Sequence, residues 1–224
     1  MLKVAIYDLD GTLVDSRQDL ADAVNAMLER LGLPRRGDDE VASFVGEGAE
    51  KLVRRSLGPA HEGRLAEAMP LWFSCYQERL VNKTKPYAGI EEALALPPFD
   101  RAVLTNKPGG MAREILLRLG LSQAFARVVG GDEAKKKPDP GALLALCEGF
   151  GARPAEALLI GDSPIDVATG AAAGVPVCAV TWGFGSREAL AAAAPLYSCH
   201  GTVELAQLLR TLTSRRPRQV PQGT

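Results

Sequence analysis

The chain has 224 residues, 46% of them hydrophobic and 24% charged, with a formal net charge of -1. That length holds one sizeable core, or a core domain with a smaller insert. The near-neutral balance and scattered basic residues leave no footprint for nucleic acid or a membrane surface, and no stretch approaches the roughly 20 apolar residues of a spanning helix.

Residues 3–8 read as a strand, because Val4-Ala5-Ile6-Tyr7 is apolar without alternation, as expected where both faces of a parallel sheet are covered. The run ends in the polar turn Asp8-Leu9-Asp10-Gly11-Thr12 and is too short for a secretory signal. Residues 15–83 look helical, with no strong strand. Leu20, Val24, Met27, Leu28 and Leu31 recur at helical spacing until Gly32 and Pro34 intervene. A second helix follows Gly46-Glu47-Gly48, and a third covers residues 62–80. Lys85-Pro86-Tyr87-Ala88-Gly89 reads as a linker.

Strands then alternate with helices. Strands are expected at 101–105, 126–129, 157–160 and 175–180, with a weaker one at 196–198. Helices are expected at 111–119, 141–150, 165–173, 187–194 and 203–212. The fold class is therefore α/β: a Rossmann-like parallel sheet with helices on both faces, carrying a small all-helical cap domain. The expected boundaries are 1–14 and 84–213 for the core domain and 15–83 for the cap. Residues 214–224 are expected to be a flexible tail with little to bury. Cys75, Cys147, Cys178 and Cys199 form no Cys-x-x-Cys pair, which argues for reduced thiols in a cytoplasmic protein and against a zinc site.

Ligands of open α/β sheets bind beyond the carboxyl ends of the strands. Those ends carry Asp8 and Asp10, then Thr105 and Asn106, then Lys137 after a loop, then Asp162 with Asp166 four residues on. Clustered carboxylates repel and need a cation to stay ionised together. All-oxygen ligands beside phosphate suit Mg²⁺. A carboxylate so placed can attack a phosphoryl group, with Mg²⁺ and Lys137 neutralising charge, Thr105 holding an equatorial oxygen and a second acid moving the proton. Pro138 restricts Lys137 to an extended backbone, whereas Lys135 and Lys136 read as a solvated charge run. Gly11 and Gly161 keep the backbone slim beside a ligand. In the cap, Gly48 belongs to a loop that can cover the mouth, and one of Lys51, Arg54 and Arg55 is a candidate for meeting a substrate carboxylate, with Arg54 preferred. His61 and His200 lack partner motifs, so no Ser-His-Asp or His-Glu-x-x-His site is expected, and no Walker A or complete dinucleotide loop is present.

Four ordered segments resemble the signatures of the haloacid dehalogenase superfamily: Asp8-Leu9-Asp10-Gly11-Thr12-Leu13, Leu104-Thr105-Asn106-Lys107, Lys137-Pro138-Asp139-Pro140, and Gly161-Asp162-Ser163-Pro164-Ile165-Asp166. The helical insert falls where that family places its cap. The resemblance implies that Asp8 is the nucleophile and Asp10 the general acid and base. It implies that Asp8, Asp162 and the Asp10 carbonyl hold Mg²⁺, with Asp166 in the outer shell or acting on Lys137, which would bridge Asp8 and the phosphoryl group. Gly11, Thr105 and Asn106 would bind phosphate. Within the superfamily, residues 10–16, Val45-Gly46-Glu47-Gly48-Ala49, Thr105-Asn106-Lys107-Pro108 and Trp182-Gly183-Phe184-Gly185 resemble the phosphoglycolate phosphatase subgroup. The stretch between Gly89 and Arg101 departs from it, with Pro97-Pro98 where a helix would continue. The expected activity is Mg²⁺-dependent hydrolysis of a small phosphorylated metabolite, 2-phosphoglycolate first. A sugar-phosphate mutase and a non-catalytic binding protein are the alternatives. The expected state is monomer or homodimer.

Overall fold

The computed structural model describes residues 1–96 and 99–214. Pro97-Pro98 and nearly all of the expected tail lie outside the described residues.

β1 (Val4–Tyr7) enters the middle of the molecule. β2 (Val14–Asp15) follows, and then the helical insert: α1 (Arg17–Arg30), α2 (Asp38–Ser43), α3 (Ala49–Leu57) and α4 (Leu65–Gln77). β3 (Lys85–Pro86) brings the chain back. α5 (Ile90–Leu94), β4 (Asp100–Leu104), α6 (Gly109–Arg118), β5 (Arg127–Val129), α7 (Gly141–Gly149), β6 (Ala157–Gly161), α8 (Pro164–Ala173), β7 (Val177–Val180), α9 (Arg187–Ala192), β8 (Tyr197–Cys199) and α10 (Thr202–Ser214) complete it. The six-stranded sheet runs β5-β4-β1-β6-β7-β8, parallel throughout.

Side-chain alternation along the strands builds two cores. Val4, Ile6, Leu104, Leu159 and Val177 face one side, with Leu143 and Leu146 of α7 and Val167 of α8. Ala5, Tyr7, Val103, Ile160 and Val180 face the other, with Ile115 of α6 and Leu205 and Leu209 of α10. Both faces are covered, which is why these strands read as unbroken apolar runs. Trp72 and Tyr76 of α4 belong to the second core, so the insert packs as one body with that side of the sheet.

Three details differ from the sequence reading. β2 and β3 pair antiparallel, Val14 opposite Pro86 and Asp15 opposite Lys85, where only a turn and a linker were expected. α2 is a short acidic helix that the periodicity does not reveal. The third helix of the insert starts at Leu65, because Pro59 opens a tighter turn over Pro59–Arg64 first. Asp19 of α1 locks the returning chain: its Oδ2 accepts from Lys83 N at 2.9 Å and from Thr84 N and Oγ1 at 2.7 Å each. No helix among the described residues is long and apolar enough to cross a membrane. The four cysteines are free thiols.

Candidate active site

The sheet carries its acids to one mouth. Asp8 follows β1 directly, and its N–H donates to Ile160 O of β6 at 2.9 Å, so the central ladder fixes its backbone. Asp8 Oδ1 accepts from Leu9 N at 2.7 Å and lies 3.0 Å from Lys137 Nζ. Lys137 Nζ also donates to Asp166 Oδ1 at 2.6 Å. Asp166 sits in the first turn of α8, where its Oδ2 accepts from Ser163 Oγ at 2.6 Å and Ser163 N at 3.2 Å, closing a capping box. Both Asp166 oxygens thus accept hydrogen bonds, one of them from Lys137. The Lys137–Pro138 peptide is cis. Lys137 is 2% exposed at its side chain, whereas Lys135 is 84% exposed, which separates the inward lysine from the solvated run.

Asp162 follows β6. Its Oδ2 accepts from Phe184 N at 2.6 Å, and its Oδ1 accepts from Thr12 Oγ1 at 3.3 Å. Gly11 has φ +82° and lies so close to Asp162 that any Cβ would collide with its carboxylate. Gly161 leaves the same kind of space for Asp166.

Asp10 points elsewhere. Its Oδ1 accepts from Ser16 Oγ at 2.5 Å and its Oδ2 from Lys107 Nζ at 2.7 Å. Lys107 Nζ also stands 4.6 Å from the centroid of the Tyr76 ring on α4. Lys107 carries no assigned role in the sequence reading, and its ion pair with Asp10 makes it a site residue. Its place right after Thr105-Asn106, at a strand's carboxyl end, was the available signal.

Thr105 is buried and lines the cleft; its Oγ1 accepts from Lys107 N at 3.3 Å. Asn106 differs from expectation. Its Oδ1 accepts from Lys137 N at 2.8 Å, while its Nδ2 donates to Lys137 O at 3.0 Å and Gly46 O at 2.9 Å. The side chain clamps three backbone groups and has nothing left for phosphate; only its backbone N–H can serve there. Gly48 lines the cleft, with Trp72 and Leu52 of the insert. Arg54 does not reach it. Arg54 is half-buried and paired with Glu50 at 2.8 Å and with Glu62, while its neighbour Arg55 lines an adjoining cleft with Asp10 and Asp162, paired there with Glu47. Neither histidine lines either cleft.

The electrostatics follow from burial. Burial pushes the Asp162 carboxyl up to about 7, and the charges of Asp8 and Asp166 add to it. Burial also raises Asp8, to about 6, against the pull of Lys137. Burial disfavours the Lys137 and Lys107 ammonium groups, yet Asp166 and Asp8 hold the first charged, and Asp10 the second, with pKa values above the ordinary lysine range. When ionised, the three clustered carboxylates of Asp8, Asp162 and Asp166 face one ammonium group, Lys137, which leaves the charge of one divalent cation unbalanced. Oxygens of Asp8, Asp162 and Asp166 lie within 4.8 Å of one another. An all-oxygen set with this charge fits Mg²⁺.

The comparisons with known proteins agree with this geometry. A family model described as haloacid dehalogenase-like hydrolase matches residues 5–180. The chain is 39% identical over 203 residues to a phosphoglycolate phosphatase of Chromobacterium violaceum, covering 85% of this chain and 90% of that one. It is 40% identical over 192 residues to a phosphoglycolate phosphatase of Nitrosospira multiformis, covering 82% and 85%. Among solved structures, a predicted phosphoglycolate phosphatase from Haemophilus somnus superposes with a TM-score of 0.86 at 29% identity, over 94% of this chain and 97% of that one. With its signatures in order and its acids gathered at one mouth of the sheet, the chain belongs to the haloacid dehalogenase-like hydrolase family.

Proposed function

We propose that the chain is a phosphomonoesterase that hydrolyses 2-phosphoglycolate to glycolate and phosphate through a phosphorylated Asp8. The observation that carries this reading is the division of labour between two aspartates two residues apart. Asp8 is gripped at one oxygen by Lys137, and among the described residues its Oδ2 accepts no hydrogen bond. Asp10 is held at both oxygens by partners that can give and take a proton's place, Ser16 and Lys107. The substrate follows from the relatives, which are phosphoglycolate phosphatases.

Asp8 Oδ2 attacks phosphorus and the bond to the ester oxygen breaks. Asp10, protonated in the substrate complex, gives its proton to that oxygen, glycolate leaves, and Lys107 balances the carboxylate that forms. Asp10 then takes a proton from water as the water oxygen attacks phosphorus, the Asp8–phosphorus bond breaks, and phosphate departs. Lys137 balances charge on the transferring group, and Thr105 with the Asn106 N–H binds its oxygens. Asp8, Asp162 and the Asp10 carbonyl would hold Mg²⁺, with Asp166 behind Lys137; the ion would supply charge neutralisation. The insert walls the cleft with Trp72 and Leu52, which narrows the approach to Asp8 in favour of small molecules.

Phosphate release from a panel of 2-phosphoglycolate, sugar phosphates and nucleotides, with Mg²⁺ or with EDTA, tests the reading. The Asp8→Asn variant should lose at least about 10⁴-fold in turnover. Turnover near the wild-type rate in that variant, or release that survives EDTA, would refute the mechanism. A panel led by another ester would refute the substrate.

A further inference from the structure

We infer that Lys107 reads a carboxylate on the leaving group and so sets the substrate class as phosphate esters of 2-hydroxy acids. This rests on the phosphomonoesterase reading above. Among the described residues, Lys107 is the one lysine or arginine that lines the cleft containing Asp8, Asp10 and Thr105. The remaining wall is apolar, from Leu20, Leu52, Trp72 and Pro108. The cation is shared with Asp10, and the apolar walls strengthen its pull on a second anion that comes within reach.

The position of Lys107 fixes where that anion sits. Its Nζ lies 2.7 Å from Asp10 Oδ2, the group that protonates the ester oxygen. In a 2-hydroxy acid ester the carboxyl carbon is two bonds from that oxygen. A substrate placed for protonation therefore brings its carboxylate beside Lys107. An ammonium has three N–H donors, and Asp10 takes one. The ring of Tyr76, 4.6 Å away, closes one side and steers the group. Behind that wall the indole N–H of Trp72, a lining residue, is buried without a partner, and its ring stacks on Tyr76 at 5.2 Å. Buried donors without acceptors call for an acceptor-rich ligand. Of the other cations nearby, Arg55 is spent on Glu47 in the adjoining cleft, Lys137 is held between Asp8 and Asp166, and Lys136, an exposed residue, brings its Nζ against Gly48 at the rim.

The test compares 2-phosphoglycolate with ethyl phosphate, which has the same two carbons and no carboxylate. Wild type, Lys107→Met, Lys107→Gln and Lys107→Arg are measured for kcat and KM with each ester, after thermal melts confirm which variants fold. Lys107→Met and Lys107→Gln should raise KM for 2-phosphoglycolate and reduce the preference for it in kcat/KM by about 10- to 100-fold, the range of one hydrogen bond to a charged group. Lys107→Arg, which keeps the charge, should retain most of the preference. Equal loss on both esters in every variant would overturn the assignment, leaving Lys107 as a support for Asp10 alone. Wild-type protein that ignores 2-phosphoglycolate while hydrolysing other esters would instead overturn the substrate reading, and this inference with it.

Discussion

On one side of the cleft Lys137 joins Asp8 to Asp166; on the other Lys107 joins Asp10 to the ring of Tyr76. Both lysines are buried and both are ion-paired, yet they depend on different parts of the chain. Every partner of Lys137 comes from a strand end or helix start of the parallel sheet. Lys107 instead leans on α4, an element of the insert. Asp8, the proposed nucleophile, is therefore held by elements of the sheet, while Asp10, the proposed acid, is held by sheet and insert together. Movement of the insert would disturb proton transfer before it disturbed attack.

The largest way to break this contrast is Lys137→Met. It removes charge balance from the transferring phosphoryl group, which should cost on the order of 10²–10³ in kcat. It also leaves Asp8 and Asp166 buried without their cation, a loss of about 3–5 kcal/mol. Thermal melts without Mg²⁺ should fall by about 10 °C. The loss in rate should be similar for alkyl and aryl esters, because attack on phosphorus is common to both. A loss confined to alkyl esters would contradict the assignment of Lys137 to the Asp8 side.

The next effect is one of pH. In the folded protein without metal, Asp8 and Asp162 hold protons up to about 6 and about 7, well above the ordinary carboxylate value of 3.8. The folded state thus binds more protons than the unfolded one between roughly pH 4 and 7. Stability from these two groups is present at the acid end of that window and declines as pH rises through it. In EDTA the melting temperature should fall from pH 5 toward pH 8 by several degrees, and Mg²⁺ should raise it more at pH 8 than at pH 5. Equal Mg²⁺ shifts at both pH values would show that these carboxylates do not share the ion.

The smallest effect sharpens the other side. Tyr76→Leu removes the ring over Lys107, an interaction worth on the order of 1 kcal/mol, or about fivefold. The rate should fall for ethyl phosphate but little for p-nitrophenyl phosphate, whose leaving oxygen needs less help from an acid. Parallel losses on both esters would mean that Tyr76 supports the fold without reaching Asp10.

The sheet and its acids are legible in the sequence for one physical reason. A parallel strand covered on both faces must be an unbroken apolar run, so the polar residues that end it stand out, as Asp8, Thr105 and Asp162 do. Shorter elements carry no such signal. β2 and β3 are two residues each, and Pro86 in the second argues against a strand. Arg54 shows the limit on a helix: neighbours in sequence point about 100° apart, so a basic pair cannot tell which member turns inward, and it is Arg55 that lines the adjoining cleft while neither lines the one with Thr105. Asn106 is expected at the phosphate through the family resemblance, which implies a backbone contact after Thr105 and leaves the part of the amide side chain open. Its clamp on Lys137 and Gly46 depends on partners far along the chain, which only the fold brings together. Lys107 is the same case, since Tyr76 supplies half of its setting.

The β2–β3 ribbon gives the molecule a single doorway. The chain leaves the sheet domain through Val14 and Asp15 and returns beside itself through Lys85 and Pro86. Because exit and entry are adjacent strands, whatever is spliced between them need match only one ribbon's width. The residues between can lengthen, shorten or be exchanged without moving β1, and so without moving Asp8. The groups that follow the strands, Asp8 and Lys107 among them, are tied to the sheet, while the Trp72 and Leu52 side of the cleft rides on the part between the two strands.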